Sequence, residues 1–448
     1  MLSQIFAIAI FLIMFLGIVA GKIPRHIITT VAALATALLV FLLIMRSPQS
    51  IWEALALHSV LEPDFWFART HGTVASTGIN WGTILFIAGM MILVEGLEDT
   101  GFFRWLCMVL AKAVGYRIVP LFLTFVLLSA LLSMFIDSIT VILFLVAVSV
   151  ELSQLLRFNP VPLILAEIFA ANLGGASTMS GDPPNIIIGT ALGYTFSDFL
   201  CHTGAIAWIA MAIVLPFLMH TARSAGGRSV VSPDAVPAPS TAIVSRPHFY
   251  RSIIVFLVTV VLLVTHGQTG LSVASVGVIA AVLTLLTSYR GAKSLLTRLD
   301  WRTLLFFTGL FVAVSGLEQT GVLERLADMI GYVGKGKTEI ILIIILWFSA
   351  IASAFVDNIP FAATMVPVIR SIAATQGIPL DTLAWTLALG TDIGGSATPI
   401  GASANVVGTA IAAKHGHPIG WGRYCRTAGP ATIIAMTVAM ICLYLFFC

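Results

Sequence analysis

Two stretches of fourteen residues, 220 positions apart, limit what this chain can fold into. Asn172–Asn185 reads Asn-Leu-Gly-Gly-Ala-Ser-Thr-Met-Ser-Gly-Asp-Pro-Pro-Asn, and Asp392–Asn405 reads Asp-Ile-Gly-Gly-Ser-Ala-Thr-Pro-Ile-Gly-Ala-Ser-Ala-Asn. Gly174, Gly175, Thr178, Gly181 and Asn185 map without a gap onto Gly394, Gly395, Thr398, Gly401 and Asn405. Each stretch lies between apolar runs long enough for membrane helices, yet no helix passes through it intact. The glycines loosen the backbone, and Pro183–Pro184 removes two amide donors. Irregular backbone at membrane depth is tolerated only where protein buries it or it lines a watery cavity. Paired broken helices in the two halves of a chain point to a transporter's binding site.

Composition gives the setting. Of 448 residues, 59% are apolar and 10% charged, which leaves too little polar surface for a dispersed globule and marks an all-α polytopic membrane protein. The net charge of +3 gives no reason to expect nucleic acid. Five scattered cysteines suggest neither a disulfide framework nor a metal site, and the histidines fall in loops. No Walker A motif is present, so ATP hydrolysis by this chain, or enzymatic chemistry generally, is not expected.

Apolar runs are expected at Met1–Gly21 (a first span rather than a signal peptide, since it has no basic start), about Ile28–Ile44, and Trp81–Leu97. Arg46–Asn80 reads as a polar, aromatic segment, and the region of Arg104, Lys112 and Arg117 as a basic loop. Val119–Leu156 is apolar but interrupted by Asp137–Ser138, which fits a re-entrant hairpin with a polar tip. Residues 161–194 hold the first broken helix. Residues 222–251 form a Pro/Ser/Gly/Arg-rich cytoplasmic linker between a first repeat, 1–221, and a second, 252–448. The second repeat follows the same order, with basic residues Arg290, Lys293, Arg298 and Arg302, a hairpin at 340–372 around Asp357–Asn358, a broken helix at 382–410, and a last span from Pro430. Trp81 pairs with Trp301, Glu98 with Glu318, and Ser133, Phe135 and Asp137 with Ser353, Phe355 and Asp357, all in one 220-residue register.

Positive charge orients these spans. With both termini outside, most of the 23 Lys and Arg residues face the cytoplasm, and Arg46, Arg69, Arg325, Lys335, Lys337 and Arg370 face out. The same assignment starts Trp81 outside and Trp301 inside, so the repeats are inverted, as alternating access requires. A plasma (inner) membrane location is expected.

Asp137 and Asp357 sit at the centres of apolar hairpins, where an uncompensated charge costs at least ~2.5–3.5 kcal/mol. The plain alternative is that each caps the following helix; the two roles are compatible. Ser138, Thr140 and Asn358 add neutral donors and acceptors. Asn172 and Asp392 occupy equivalent places, so the second half carries one more potential charge, which suggests a cation or protonation site nearer that repeat. Asp182 reads as a loop-fixing residue that accepts from backbone amides, or as a ligand contact. Glu167 is a candidate proton relay or a polar seam residue, and Glu98 and Glu318 are expected to be solvated caps. No arginine is expected near the site to clamp a carboxylate substrate.

The hairpin Ser-Met-Phe-Ile-Asp-Ser-Ile-Thr around Asp137, then Leu-Ala-Glu-Ile-Phe-Ala-Ala-Asn-Leu-Gly-Gly-Ala-Ser-Thr from Leu165, and Gly-Asp-Pro-Pro-Asn-Ile-Ile-Ile from Gly181, resemble the ArsB/NhaD permeases. The resemblance is to the branch containing the melanosomal P protein, within the citrate-transporter-like ion transporter superfamily. It implies an elevator-type fold with a scaffold and a mobile transport domain, often a homodimer in membrane lipid. It also implies a site formed by Asp137, Ser138, Thr178, Asn185, Asp357, Asn358, Thr398 and Asn405. The related divalent anion:sodium symporters carry Ser-Asn-Thr at the tips. This chain has Asp-Ser-Ile-Thr and Asp-Asn-Ile-Pro, and an acid at both tips fits proton or sodium coupling. Sodium is expected at Asp137, Asp357 or Asp392, with no other metal and no cofactor. The expected function is cation-coupled secondary transport of a small inorganic ion or anion, by arsenite efflux or Na+/H+ exchange. The alternatives are coupled citrate- or dicarboxylate-like transport, an ion channel, or the pore subunit of a pump with an ATPase partner.

Overall fold

The computed structural model describes residues 1–67, 78–222, 238–334 and 336–447; Arg69, Arg223, Arg228 and Lys335, used above for orientation, lie outside them. The first half runs α1 (Leu2–Ala20), α2 (Arg25–Ala35, continued by a π-helical stretch Thr36–Ile44), α3 (Pro48–Leu55), α4 (Pro63–Trp66), α5 (Trp81–Asp99), α6 (Phe102–Ala113), α7 (Ile118–Ser133), α8 (Ser138–Leu156), α9 (Val161–Gly175), α10 (Pro183–Leu192), α11 (Phe196–Phe199) and α12 (Ala205–Ala222). The second half runs α13 (Arg246–Thr269), α14 (Val273–Thr287), α15 (Ala292–Arg298), α16 (Trp301–Gln319), α17 (Val322–Gly334), α18 (Thr338–Phe355), α19 (Asn358–Gln376), α20 (Leu380–Gly395), α21 (Ser403–Lys414) and α22 (Trp421–Phe447). Among the described residues nine helical segments are long and apolar enough to cross a membrane.

Several local expectations change. The segment after Arg46 folds into α3, a short 3-10 turn and α4 rather than staying irregular. The residues around Arg104 and Lys112 form the amphipathic helix α6, whose apolar face buries Phe102, Phe103 and Cys107 while Arg104 and Lys112 stay exposed. Pro430 lies inside α22, which starts nine residues earlier at Trp421. Helix α13 begins at Arg246, inside the segment read as linker.

Two matching crossings join α5 to α14 and α16 to α2. Gly89 of α5 lies against the backbone of Gly277 of α14, and Gly309 of α16 lies against the backbone of Thr29 of α2, so close that a side chain on either glycine would overlap the opposite main chain. One turn or two further on, Gly96 meets the Thr284 methyl and Gly316 the Thr36 methyl. The glycines keep the 220 register, but their partners are 248 apart, so the first half carries 28 extra residues before Trp81. Trp66, before Trp81, docks on the start of α14: Ser272 N and Ser275 Oγ donate to Trp66 O at 3.0 and 2.7 Å.

The two interrupted apolar segments are hairpins. Ala130 of α7 backs Gly174, Ser133 backs Gly181, and Met134 O accepts from Thr178, so α7 runs parallel to α9. Ser149 of α8 reaches back to Glu167 while Ser138 meets Asp182, so α8 runs antiparallel to α9 and therefore to α7. In the second half, Ala350 backs Gly394 and Ala354 O accepts from Thr398 Oγ1, again 220 residues on. Each tip therefore reaches the break in its own half's broken helix. The halves interlock as well, since α8 packs on α21 and α19 on α10.

Candidate functional site

Both hairpin tips are N-caps. Asp137 accepts from Thr140 N at 3.0 Å and from Thr140 Oγ1 at 2.7 Å. Asp357 accepts from Ile359 N at 3.1 Å. The capping role is thus present at both acids, and it uses only part of their accepting capacity.

What joins the tips is Asp182. Ser138 Oγ donates to its Oδ1 at 2.7 Å and Asn358 Nδ2 to its Oδ2 at 3.2 Å, so one buried carboxylate spans residues from opposite halves of the chain. The sequence expectation that Asp182 accepts from backbone amides is replaced by these two side-chain donors. Its position in a Gly-Asp-Pro-Pro loop was visible; that the loop ends where the two tips converge was not. Asp182 has no acidic counterpart, because Ala402 stands 220 residues on.

The broken-helix residues have mostly structural partners. Thr178 Oγ1 donates to Met134 O at 2.5 Å, and Thr398 Oγ1 donates to Ala354 O, tying each loop to its hairpin. Asn185 Nδ2 donates to Gly175 O and Thr178 O at 3.2 and 3.0 Å, and Asn405 Nδ2 to Gly395 O and Thr398 O at 2.8 Å each. These amides close the loops as a helix-terminating turn would. Asn172 Nδ2 crosses between halves to Asn405 Oδ1 at 2.8 Å and Ser396 Oγ at 3.2 Å. Asp392 is fully buried, and both its oxygens lack a hydrogen-bond partner. Glu167 is not brought to the tips: Ser149 Oγ holds its Oε1 at 2.5 Å, eleven residues along α8 from Ser138, or about 16 Å of helix.

Arg25 corrects the expectation that no arginine lies near. At the start of α2 it forms an ion pair with Asp357 and donates to Ser403 Oγ at 3.2 Å. Nothing in sequence spacing links positions 25 and 357, so only a fold that crosses α2 over α16 reveals the pair.

A cavity of about 450 Å³ reaches Asp137, Thr140, Ser180, Pro183, Ile359 and Ser403. Its walls are Ile87, Met90, Phe306 and Phe307, and its mouth carries Arg25, His26, Glu95, Glu98, Arg298, Asp300 and Arg302. Glu98 is an exposed residue there, whereas Glu318 lines a small cleft beside Arg370. The symmetry is broken at the other face. Asn80 Nδ2 and Thr83 Oγ1 contact Thr190 Oγ1 at 3.0 and 2.6 Å, and Arg370 Nη2 donates to Ala191 O at 2.8 Å. Their equivalents Asp300 and Thr303 line the open cavity, and the equivalent of Thr190, Ala410, is exposed. At one face these contacts leave a small cleft, and at the other the equivalent residues line the larger cavity.

A polytopic bundle with paired hairpins and paired broken helices is a membrane transporter. The chain belongs to the citrate transporter (CitMHS) family, whose model matches residues 10–390. It is 34% identical to a 46 kDa membrane protein of Mycobacterium leprae over 82% of this chain and 87% of that protein. It is 35% identical, with the same coverage, to an uncharacterized transporter of Mycobacterium tuberculosis. The P protein of Homo sapiens is 26% identical over 94% of this chain and 60% of that protein, which agrees with the resemblance drawn from the motifs. The fold is shared with the YdaH transporter of Alcanivorax borkumensis (TM-score 0.58, 14% identity, 89% of this chain and 97% of that one) and with MtrF of Neisseria gonorrhoeae (TM-score 0.58, 12% identity, 98% and 95%).

Proposed function

We propose that the protein is a secondary active transporter that couples movement of protons or sodium ions to that of a small inorganic ion or anion. The observation that carries this reading is the meeting of both acid-bearing tips on Asp182, next to a cavity that reaches Asp137 at one tip and Ile359 beside the other. Interior carboxylates of this kind bind cations or protons, and the inverted halves supply two access routes to one site. With both termini outside and the membrane a plasma membrane, the open cavity faces the cytoplasm, and the transport part moves as an elevator against the scaffold of a homodimer. Arsenite-type efflux and Na+/H+ exchange both fit a site rich in acids.

A second reading is coupled transport of an organic anion such as citrate. Arg25, which lines the cavity, favours it, and so does the description of the family model as a citrate transporter. Proteoliposomes containing a pH-sensitive dye separate these readings. Sodium, arsenite and citrate are added in turn to wild type, Asp137→Asn and Asp357→Asn. A proton flux driven by one of them and abolished by either substitution supports the coupled carrier and names the cargo. Equal flux in all three proteins would leave the aspartates as caps only, and single-channel conductance would make the protein a channel. A requirement for ATP would indicate a pump subunit.

A further inference from the structure

The two halves of the site differ at one pair of atoms. In one place Asn172 Nδ2 donates to Asn405 Oδ1 at 2.8 Å, while Asn405 Nδ2 is spent on Gly395 O and Thr398 O. In the equivalent place stand Asp392 and Asn185. Asn185 Nδ2 is spent in the same way, on Gly175 O and Thr178 O. But Asn185 Oδ1 receives no hydrogen bond, and neither do Asp392 Oδ1 and Oδ2, although both side chains are fully buried. The elements that carry them, α10 and α20, pack together as α9 and α21 do. By the 220-residue correspondence, three buried acceptors stand where the other half has the Asn172 amide donor, whose own Oδ1 is likewise without a partner among the described residues.

A buried acceptor without a donor is costly, and a buried unpaired carboxylate more so. A carboxylic acid O–H has the donor geometry of the amide N–H it replaces. We propose that Asp392 is the proton-binding group of this transporter, loaded as a carboxylic acid that donates to Asn185 Oδ1. One proton is taken from water when the site loads and is returned to water, leaving the carboxylate, when it unloads. Asn172 holds the other half permanently in the donor form, so this pair of equivalent positions carries one such site and not two. Among the described residues, no cation pairs with Asp392. Asp182, in the loop before α10, acts on it with like charge. Glu167 of α9 accepts from Ser149 through Oε1 while its Oε2 has no partner among the described residues, and α18 offers the buried Ser349 and Ser353, its acid Glu339 lying exposed at the helix start. Asp357 at the start of α19 is paired with Arg25, and Arg370 farther along α19 with Ala191 O. Tyr424 of α22 donates to Ser396 O, and His202 stacks on Trp385.

This inference rests on the carrier reading for its role in transport, but its test does not need transport. Infrared spectra of purified protein are titrated from acid to alkaline pH, with melting temperature measured in parallel. Wild type should show a buried carboxylic-acid carbonyl band that disappears as pH rises, with the melting temperature falling by a few degrees. Asp392→Asn should lack that band and that pH-dependent fall, and should melt with wild type at acid pH, where both carry a donor. Asn172→Asp should gain a second band, and the exchange Asn172→Asp with Asp392→Asn should restore a single one. If Asp392→Asn keeps the full band and pH dependence, the proton sits elsewhere and the proposal fails. Radioactive sodium binding to wild type that Asp392→Asn abolishes, with no acid band in wild type, would also overturn it, in favour of a sodium ion. A carrier whose transport is absent under every condition, but whose acid band behaves as described, would sink the transport reading and leave the protonation of Asp392 standing.

Discussion

Arg25, at the start of the second helix, forms an ion pair with Asp357, 332 residues away at the tip of the second hairpin. The Asp357 side chain is 4% exposed and that of Arg25 41%, so a partly exposed cation pairs with a buried acid. The symmetry-equivalent acid, Asp137, has no basic partner among the described residues and faces the cavity. Two identical residues at equivalent places are thus in different electrostatic states. Arg25 also ties α2 to Ser403 at the head of α21.

Removing this tie should destabilise the observed arrangement. Breaking a fully buried pair costs about 3–5 kcal/mol, and the exposure of Arg25 reduces this to roughly 1–3 kcal/mol for Arg25→Ala. Asp357→Asn should cost much less in the Arg25→Ala background than Arg25→Ala costs alone, because no stranded charge remains. A double-mutant cycle on thermal unfolding in detergent reads the coupling, and strictly additive effects would refute it.

Asp182 joins the two tips, so its loss should be felt at both. Asp182→Ala leaves Ser138 and Asn358 without their acceptor, at about 1–3 kcal/mol for each buried donor. Asp182→Asn keeps the shape and should fold closer to wild type. Coupled flux in proteoliposomes should drop by at least about tenfold in the alanine variant, a loss of about 1.4 kcal/mol or more on the barrier. Wild-type flux from a well-folded Asp182→Ala protein would remove this bridge from the transport cycle.

The two glycine crossings tolerate no side chain. Gly89→Val sets branched carbon against the Gly277 backbone, which cannot rotate away, and Gly309→Val does the same against Thr29. Each should cost about 1–3 kcal/mol or more. Gly420→Ala, with nothing near its would-be Cβ, should stay within about 0.5 kcal/mol. Melting temperatures of the three variants provide the comparison; a neutral Gly89→Val would mean that these helices do not cross so closely.

Orientation can be read directly in intact cells. In a cysteine-free background, Lys293→Cys should be shielded from a membrane-impermeant maleimide, and Gln376→Cys should react with it. Both positions are exposed, so burial does not confuse the readout. The reverse pattern would invert the proposed topology and make the open cavity face outward.

Membrane class, helix interruptions and the two-fold repeat were legible in the residues. Apolar run length fixes what can cross a bilayer, and glycine, proline and a mid-span acid stop a helix wherever it lies. These are local properties, written within one turn or one span. The amphipathic helix α6 was less visible, because its two basic residues suggest a loop until the apolar face opposite them is matched to its neighbours. The 28-residue insertion escaped notice because the 220 register holds only from Trp81 onward; the earlier helices show their equivalence through packing against Gly89 and Gly309.

The composition of the site was decided by the tertiary structure. Asp182 and Asn185 lie three residues apart, at the N-cap and in the first turn of α10, yet one bridges both hairpins while the other closes a turn. Arg25 belongs to the site because α2 crosses α16 and brings a cationic helix start to the tip of α19. The inverted repeat itself was readable from matching residues, but which face holds the larger cavity was not. That depends on Asn80 and Thr83 touching Thr190 while Asp300 and Thr303 stand clear of Ala410. A near-symmetric sequence permits both arrangements. Long-range contacts select one, and their energies depend on distances that no sequence spacing encodes.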